Sequence, residues 1–179
     1  MEGIIMSEYA VLYLSVTGNT EKIAAAIYQS ISSSSKDICK IDGSITTDFA
    51  ENYFIGFYLH QGLAPEPISA FLKKLHGKNI ALFGTCGYGF NQSYFNHIES
   101  KISNIIPFDN NYLGCFLCQG KMPITIRNEY EKKLLGDEKN YILNNLIKNF
   151  DNAMLHPNEE DIKNAETYAQ EVIWKLKGN

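Results

Sequence analysis

Six residues near the N-terminus, Ser15-Val16-Thr17-Gly18-Asn19-Thr20, carry three hydroxyls, one side-chain amide and one glycine. They follow a near-continuous apolar run, Tyr9-Ala-Val-Leu-Tyr-Leu14, and precede a stretch of helical period. A loop that feeds a helix faces the helix's unpaired N–H groups and the positive end of its dipole, so it can hold a phosphate without a cation. Two better-known phosphate loops do not fit. The G-x-x-x-x-G-K-[ST] spacing is absent, and Gly18 has no partner glycine at G-x-G-x-x-G spacing. Taken alone, the hexapeptide reads equally well as a hydroxyl-rich turn that caps a helix.

Cys115-Phe-Leu-Cys118 has the spacing of a redox pair. That chemistry places the first cysteine at a helix N-terminus, where the dipole stabilises the thiolate. Here Cys115 falls within an expected strand, in which residues i and i+3 point to opposite faces. No second CxxC and no nearby histidine completes a zinc set, so both cysteines are expected to be structural. The four histidines show no metal-ligand spacing, and no Ser/His/Asp constellation can be read.

The elements that must position these residues alternate strand and helix. After the run at 9–14 comes a helix over Thr20–Ile31, with Ile23, Ala24, Ile27, Tyr28 and Ile31 at helical spacing. Ile38–Ile41 reads as a weak second strand and Asn52–Leu59 as a stronger third. A helix follows over Pro65–Leu75, then a strand at Ile80–Phe83, a helix at 92–106 and a fifth strand at Tyr112–Leu117. The final helix has the clearest boundaries. Asn158 stands as cap before Glu159, Glu160 and Asp161, and Ile162, Ala165, Ala169, Val172, Ile173 and Leu176 mark its buried stripe. This alternation predicts a single α/β domain over 1–179, a doubly wound parallel sheet with helices on both faces. Two regions fit less simply. About ten residues, Asp42–Glu51, join the second and third strands. About 36, Lys121–His156, are inserted between the last strand and the last helix, with helical patterns around 124–135 and 138–151. That insertion is either extra packing on one edge or a partner or substrate surface near the site.

The segment from 11 to 27 resembles the phosphate-binding signature of the flavodoxin family at Val11, Leu12, Tyr13, Ser15, Gly18, Thr20, Ala24 and Ile27. The resemblance implies a five-stranded parallel sheet in order 2-1-3-4-5 with FMN as cofactor. The family is itself a standard illustration of ligand binding at the switch point, between its first and third strands. It further implies that the flavin ring lies across the ends of the third and fourth strands, at Gly56–Gly62 and Gly84–Asn91. Each of those loops sets an aromatic among glycines, so that backbone groups can approach a ring while a tyrosine stacks on it. The expected cofactor contacts are therefore Ser15, Val16, Thr17, Gly18, Asn19 and Thr20 at the phosphate, with Tyr58, Leu59, Thr85, Cys86, Gly87, Tyr88 and Gly89 at the ring. Flavodoxins commonly stack a tryptophan there; the single Trp174 lies in the last helix, leaving Tyr58 and Tyr88 for the two faces. His60 reads as a surface loop residue, and Cys86 is a better candidate for a reactive thiol than the CxxC pair. Cys118-Gln-Gly-Lys-Met-Pro123 resembles a run found in part of the family, which would bring Gln119 and Gly120 to the far edge of the flavin site.

Composition narrows the function classes. The chain has 179 residues, 45% hydrophobic and 20% charged, with a net charge of −4. Residues 1–120 hold 7 Lys/Arg against 10 Asp/Glu and residues 121–179 hold 9 against 10, so no basic face for nucleic acid or an anionic membrane emerges. No secretory signal and no span-length apolar run is seen. Four cysteines are too few for a disulfide scaffold, and a reduced cytoplasmic monomer is expected. The leading expectation is an electron carrier that shuttles between a reductase and an acceptor enzyme. The alternative is a flavodoxin-fold oxidoreductase that takes hydride from NAD(P)H and reduces a quinone-like or other small substrate. A member that has lost FMN is a third reading, opposed by the intact signature. Flavodoxins are usually more acidic than this chain, which argues against a generic acidic docking face.

Overall fold

The computed structural model describes residues 6–41, 49–89 and 91–178. Eleven elements are described: β1 (Ser7–Tyr13), α1 (Asn19–Ser30), β2 (Lys36–Lys40), β3 (Ala50–Tyr58), α2 (Glu66–Leu72), β4 (Asn79–Cys86), α3 (Gln92–Ser103), β5 (Asn111–Gln119), α4 (Ile124–Leu134), α5 (Tyr141–Ala153) and α6 (Glu159–Leu176). The five strands form one sheet in the order β2-β1-β3-β4-β5, and each adjacent pair is parallel. The fold class and strand order expected from the sequence are those observed. Most of the short second crossover, residues 42–48, and Phe90 of the loop after β4 lie outside the described residues.

Both faces of the sheet are covered, which is why its strands read as continuous apolar runs. Along β1 and β4, Leu12, Ile80 and Leu82 face one cluster, built with Ile68, Phe71 and Leu72 of α2 and Ile98 and Ile102 of α3. Val11, Ala81 and Phe83 face the other, built with Ile23, Ala24 and Ile27 of α1 and Ala165, Ala169 and Val172 of α6. Each fully buried Ile or Leu contributes roughly 1.5–3 kcal/mol of transfer free energy, so the small residues of α6 let it lie close against α1 without giving up the burial of larger ones.

Among the described residues, β5 holds the irregularity in the ladder. Its pairing slips between Ile80↔Tyr112 and Ala81↔Gly114, which leaves Leu113 as an extra residue, with Gly114 at φ 121°. The bulge resets the alternation. Cys115 and Leu117 then lie on the α2/α3 face, and Phe116 and Cys118 on the α1/α6 face. The CxxC cysteines are thus separated by the sheet itself, and each packs with the core of its own face. β5 also runs two residues further than its apolar pattern suggests, ending at Gln119. Among the described residues, no helix is long and apolar enough to cross a membrane.

Candidate functional site

The hydroxyl-rich loop leaves β1 and enters α1 through a turn that glycine makes possible. Gly18 is the N-cap of α1 in the left-handed conformation, φ 82° and ψ −6°, and no side chain caps the helix. A residue with a Cβ would be strained there. Ser15 Oγ accepts the Gly18 N–H at 3.1 Å, and the Gly18 carbonyl accepts the Lys22 N–H at 3.1 Å to open the helix. Without a capping side chain, the first-turn amides of α1 are left to the crevice in front of them. Residues 15–20 include no cation. The nearest charge along the chain, Glu21, accepts a hydrogen bond from the Tyr13 hydroxyl at 3.1 Å.

Two anchors fix this loop from behind. Thr20 and Thr85 are buried and share a hydrogen bond between their hydroxyls at 2.9 Å, which ties the start of α1 to the end of β4. Asn19, also buried, donates from Nδ2 to Thr17 Oγ1 and to the Lys121 carbonyl, each at 2.9 Å. A Cβ on Gly120 would lie 2.8 Å from Asn19 Nδ2, so Gly120 leaves room for this side chain. Val16 and Thr17 are both exposed at the tip.

The loops after β3 and β4 lie at the same end of the sheet, because β1, β3 and β4 are parallel neighbours. Tyr58, half-buried, is the last residue of β3 and pairs in register with Thr85. The Leu59 N–H donates to the Thr85 carbonyl at 2.9 Å. The chain then reverses over His60–Leu63, whose two backbone bonds of 2.9 and 3.1 Å close a turn with Gln61 at φ 52° and Gly62 at φ 76°. Both central residues are left-handed, as a type I′ turn requires. His60 is exposed.

After β4, Cys86 is buried and its Sγ donates to the Tyr88 carbonyl at 3.0 Å. Burial pushes its thiol up to about 12, so it stays protonated at neutral pH and serves as a donor that shapes the loop. Though Cys86 is the better candidate for a reactive thiol than the CxxC pair on the sequence, its burial favours a structural role. Tyr88 is 42% exposed, and its ring meets that of Tyr94 edge to face at 5.2 Å. Burial, then the nearby Cys86 and Tyr88, raise the Tyr94 hydroxyl above its ordinary value.

A set of amides that the sequence pattern does not reveal braces this loop. The Gly87 carbonyl accepts from Asn149 Nδ2 at 2.9 Å and from Gln119 Nε2 at 3.3 Å. Gln119 Nε2 also donates to Asn149 Oδ1 at 3.1 Å, and Asn152 Nδ2 donates to Gln119 Oε1 at 2.6 Å. The family resemblance puts Gln119 near the edge of the site. Its side chain is 5% exposed and turned into this network, where a Cβ on Gly89 would come within 2.4 Å of its Cγ. Asn149 and Asn152 lie about thirty residues downstream on α5, and only the closed fold connects them to β4. Among the described residues, no group of three His, Cys, Asp or Glu side chains could hold a metal.

The candidate residues of all three loops therefore stand at one end of the sheet, beyond the carboxyl ends of its three central strands, with the amide- and hydroxyl-lined turn at the strand-order switch between β1 and β3. Comparison with known proteins agrees with this fold. Residues 10–170 match the family model of the flavodoxin domain. A flavodoxin-like domain-containing protein, BilS, of Clostridioides difficile strain CD3 is 36% identical over 170 residues, covering 92% of this chain and 96% of that protein. BilS of Clostridium symbiosum strain WAL-14163 is 27% identical over 172 residues, covering 87% and 90% respectively. Among solved structures, a Streptococcus pneumoniae TIGR4 flavodoxin superimposes with a TM-score of 0.61 at 17% identity, covering 94% of this chain and 99% of its own.

Proposed function

This chain belongs to the flavodoxin domain family, and from that premise we propose that it binds FMN and carries electrons from a reductase to an acceptor enzyme. The observation that carries the reading is the cation-free turn at the uncapped N-terminus of α1, with Gly18 left-handed and the amides of the first helical turn facing the β1/β3 switch point. A phosphate fits such a turn, because backbone N–H groups and the helix dipole supply all the positive character it needs.

In this reading the FMN phosphate sits on residues Ser15–Thr20. Thr17 offers its hydroxyl near the tip, held by Asn19, and Ser15 and Thr20 keep the turn in shape. Tyr58, Leu59, Thr85, Cys86, Gly87, Tyr88 and Gly89 border the isoalloxazine ring. The Tyr88 ring, braced by Tyr94 at 5.2 Å, covers one face, and Tyr58 at the end of β3 borders the other. FMN supplies the redox chemistry when bound. The protein binds, orients and shields it, and no side chain is required as acid or base. Partners are the donor and acceptor proteins, and neither a nucleic acid nor a membrane is needed.

The test is spectroscopic. The purified chain, titrated with FMN, is expected to take it up with the absorbance changes of a bound flavin. Bound FMN is then expected to resist direct reduction by NADPH under anaerobic conditions and to be reduced through an added flavoprotein reductase. Failure to bind FMN would overturn the reading. Rapid reduction by NADPH alone would replace the carrier with an oxidoreductase acting on a small substrate.

A further inference from the structure

The helical segment between β5 and α6 does more than cover an edge. Its α5 sends Asn149, 3% exposed, to the one carbonyl of the β4 loop that also receives Gln119. The two amides bond each other as well, so neither can turn away without breaking two contacts. Asn152 holds the far end of Gln119 through its Oε1. Packing reinforces the hydrogen bonds. A Cβ on Gly87 would lie 2.3 Å from Met122 Sδ, and one on Gly89 2.4 Å from Gln119 Cγ, so side chains from the end of β5 and the residues after it press directly on the loop backbone.

We infer, resting on the FMN reading above, that Asn149 and Gln119 are positioning residues that set the Gly87–Tyr88 peptide and thereby tune the affinity and potential of the flavin beside it. A trans peptide is planar, so a carbonyl held by two donors also fixes the direction of the Tyr88 N–H on the opposite side of the bond. Buried amide networks that are fully satisfied rigidify what they hold. A loop that approaches the ring through backbone N–H groups favours the reduced, more electron-rich flavin. Its rigidity therefore matters most in that oxidation state. Loosening the clamp weakens FMN binding and lowers the midpoint potential.

The experiment compares the full-length chain with Asn149→Leu, which keeps the bulk of the side chain and removes both hydrogen-bonding groups. Asn149→Asp is a second variant that keeps the acceptor for Gln119 and loses the donor to Gly87. Lys148→Ala, exposed on the same helix, is the control. Without FMN, amide hydrogen exchange in the peptide containing residues 86–89 is expected to quicken in both Asn149 variants. With FMN, loss of a net hydrogen bond to the half-buried Gly87 carbonyl predicts about five- to tenfold weaker binding, and a midpoint potential below that of the wild type. Unchanged exchange, or unchanged potentials in both Asn149 variants, would overturn the inference, as would an equal shift in Lys148→Ala. Wild-type protein that binds no FMN would overturn the functional reading and the tuning with it. Binding by the wild type with no effect of the variants would overturn the tuning alone.

Discussion

The Thr20–Thr85 hydroxyl pair responds differently to one substitution and to two. Both residues are buried, and each hydroxyl has the other at 2.9 Å. Thr20→Val or Thr85→Val alone strands the remaining hydroxyl, at a cost of about 1–3 kcal/mol. The double variant replaces the pair with apolar groups of similar shape and should cost less than the two singles added together. Urea unfolding of the four proteins gives the coupling directly, and strict additivity would show that the pair does not interact. The cysteines carry a pH prediction. Cys86 is raised from 9.0 to about 12 by burial, and Cys118 is also raised, first by burial, then by Asp161 and Cys86. The native state keeps these protons where the unfolded chain releases them. The stability they contribute is complete below about pH 9 and declines as pH rises toward 12. Alkylation at about pH 8, below the ordinary thiol range, followed by mass spectrometry should label exposed Cys39 and spare Cys86 and Cys118. Unfolding midpoints should fall as the thiols' ordinary pKa is passed, with part of that slope lost in Cys86→Ala.

Among the elements, α6 has the most local stabilisation at its start. Asn158 Oδ1 accepts the Glu160 and Asp161 N–H groups at 3.0 and 3.1 Å, and Asp161 Oδ2 accepts the Asn158 N–H at 2.8 Å. Asp161 also bonds His156 Nδ1 at 2.6 Å. Asn158→Ala should therefore cost about 1 kcal/mol, seen by calorimetry as a fall in Tm of about 2–4 °C; Asn158→Asp should keep most of it. A cap, an acidic first turn and an apolar stripe all lie within α6 itself, which is why its limits are legible in the sequence. The turn at 15–20 is legible for the same reason, since strand, glycine and helix follow one another directly. The bracing of the β4 loop is not. Gln119 reads as the tail of an apolar strand, and Asn149 as one polar position in a helical pattern. Nothing local marks the pairing of two amides about thirty residues apart. The bulge at Leu113 is hidden too, because an extra residue in an apolar run leaves no gap in the pattern. The helices at 124–134 and 141–153 fall where the periodicity predicts them. That α5 reaches the loop after β4 depends instead on how the segment returns across the sheet edge.

At the scale of the whole molecule, the site exists only in the native state. Residues 15–20, 58–59 and 85–89 are far apart along the chain and meet because β1, β3 and β4 are parallel neighbours. The unfolded chain offers no such arrangement, so FMN that binds the native state should stabilise it by mass action. At a free concentration about a hundred times Kd the gain is about 2.7 kcal/mol. For a chain of this size that corresponds to a rise in Tm of about 5–10 °C, increasing further with the logarithm of FMN concentration. The increment should shrink in a Thr17→Val, Thr20→Val double variant, compared with its own FMN-free Tm to remove the intrinsic cost of losing the Thr85 bond. Scanning fluorimetry is unsuited because flavin emits, so calorimetry is the measurement. A Tm that ignores FMN at saturating concentration would mean that the three loops, though gathered at one end of the sheet, do not make a flavin site. A gain that survives intact in the double variant would instead move the phosphate away from the turn at α1. Because the charge is mild and evenly divided along the chain, the increment should depend only weakly on salt, as expected when amides and a helix dipole, not cations, hold the phosphate.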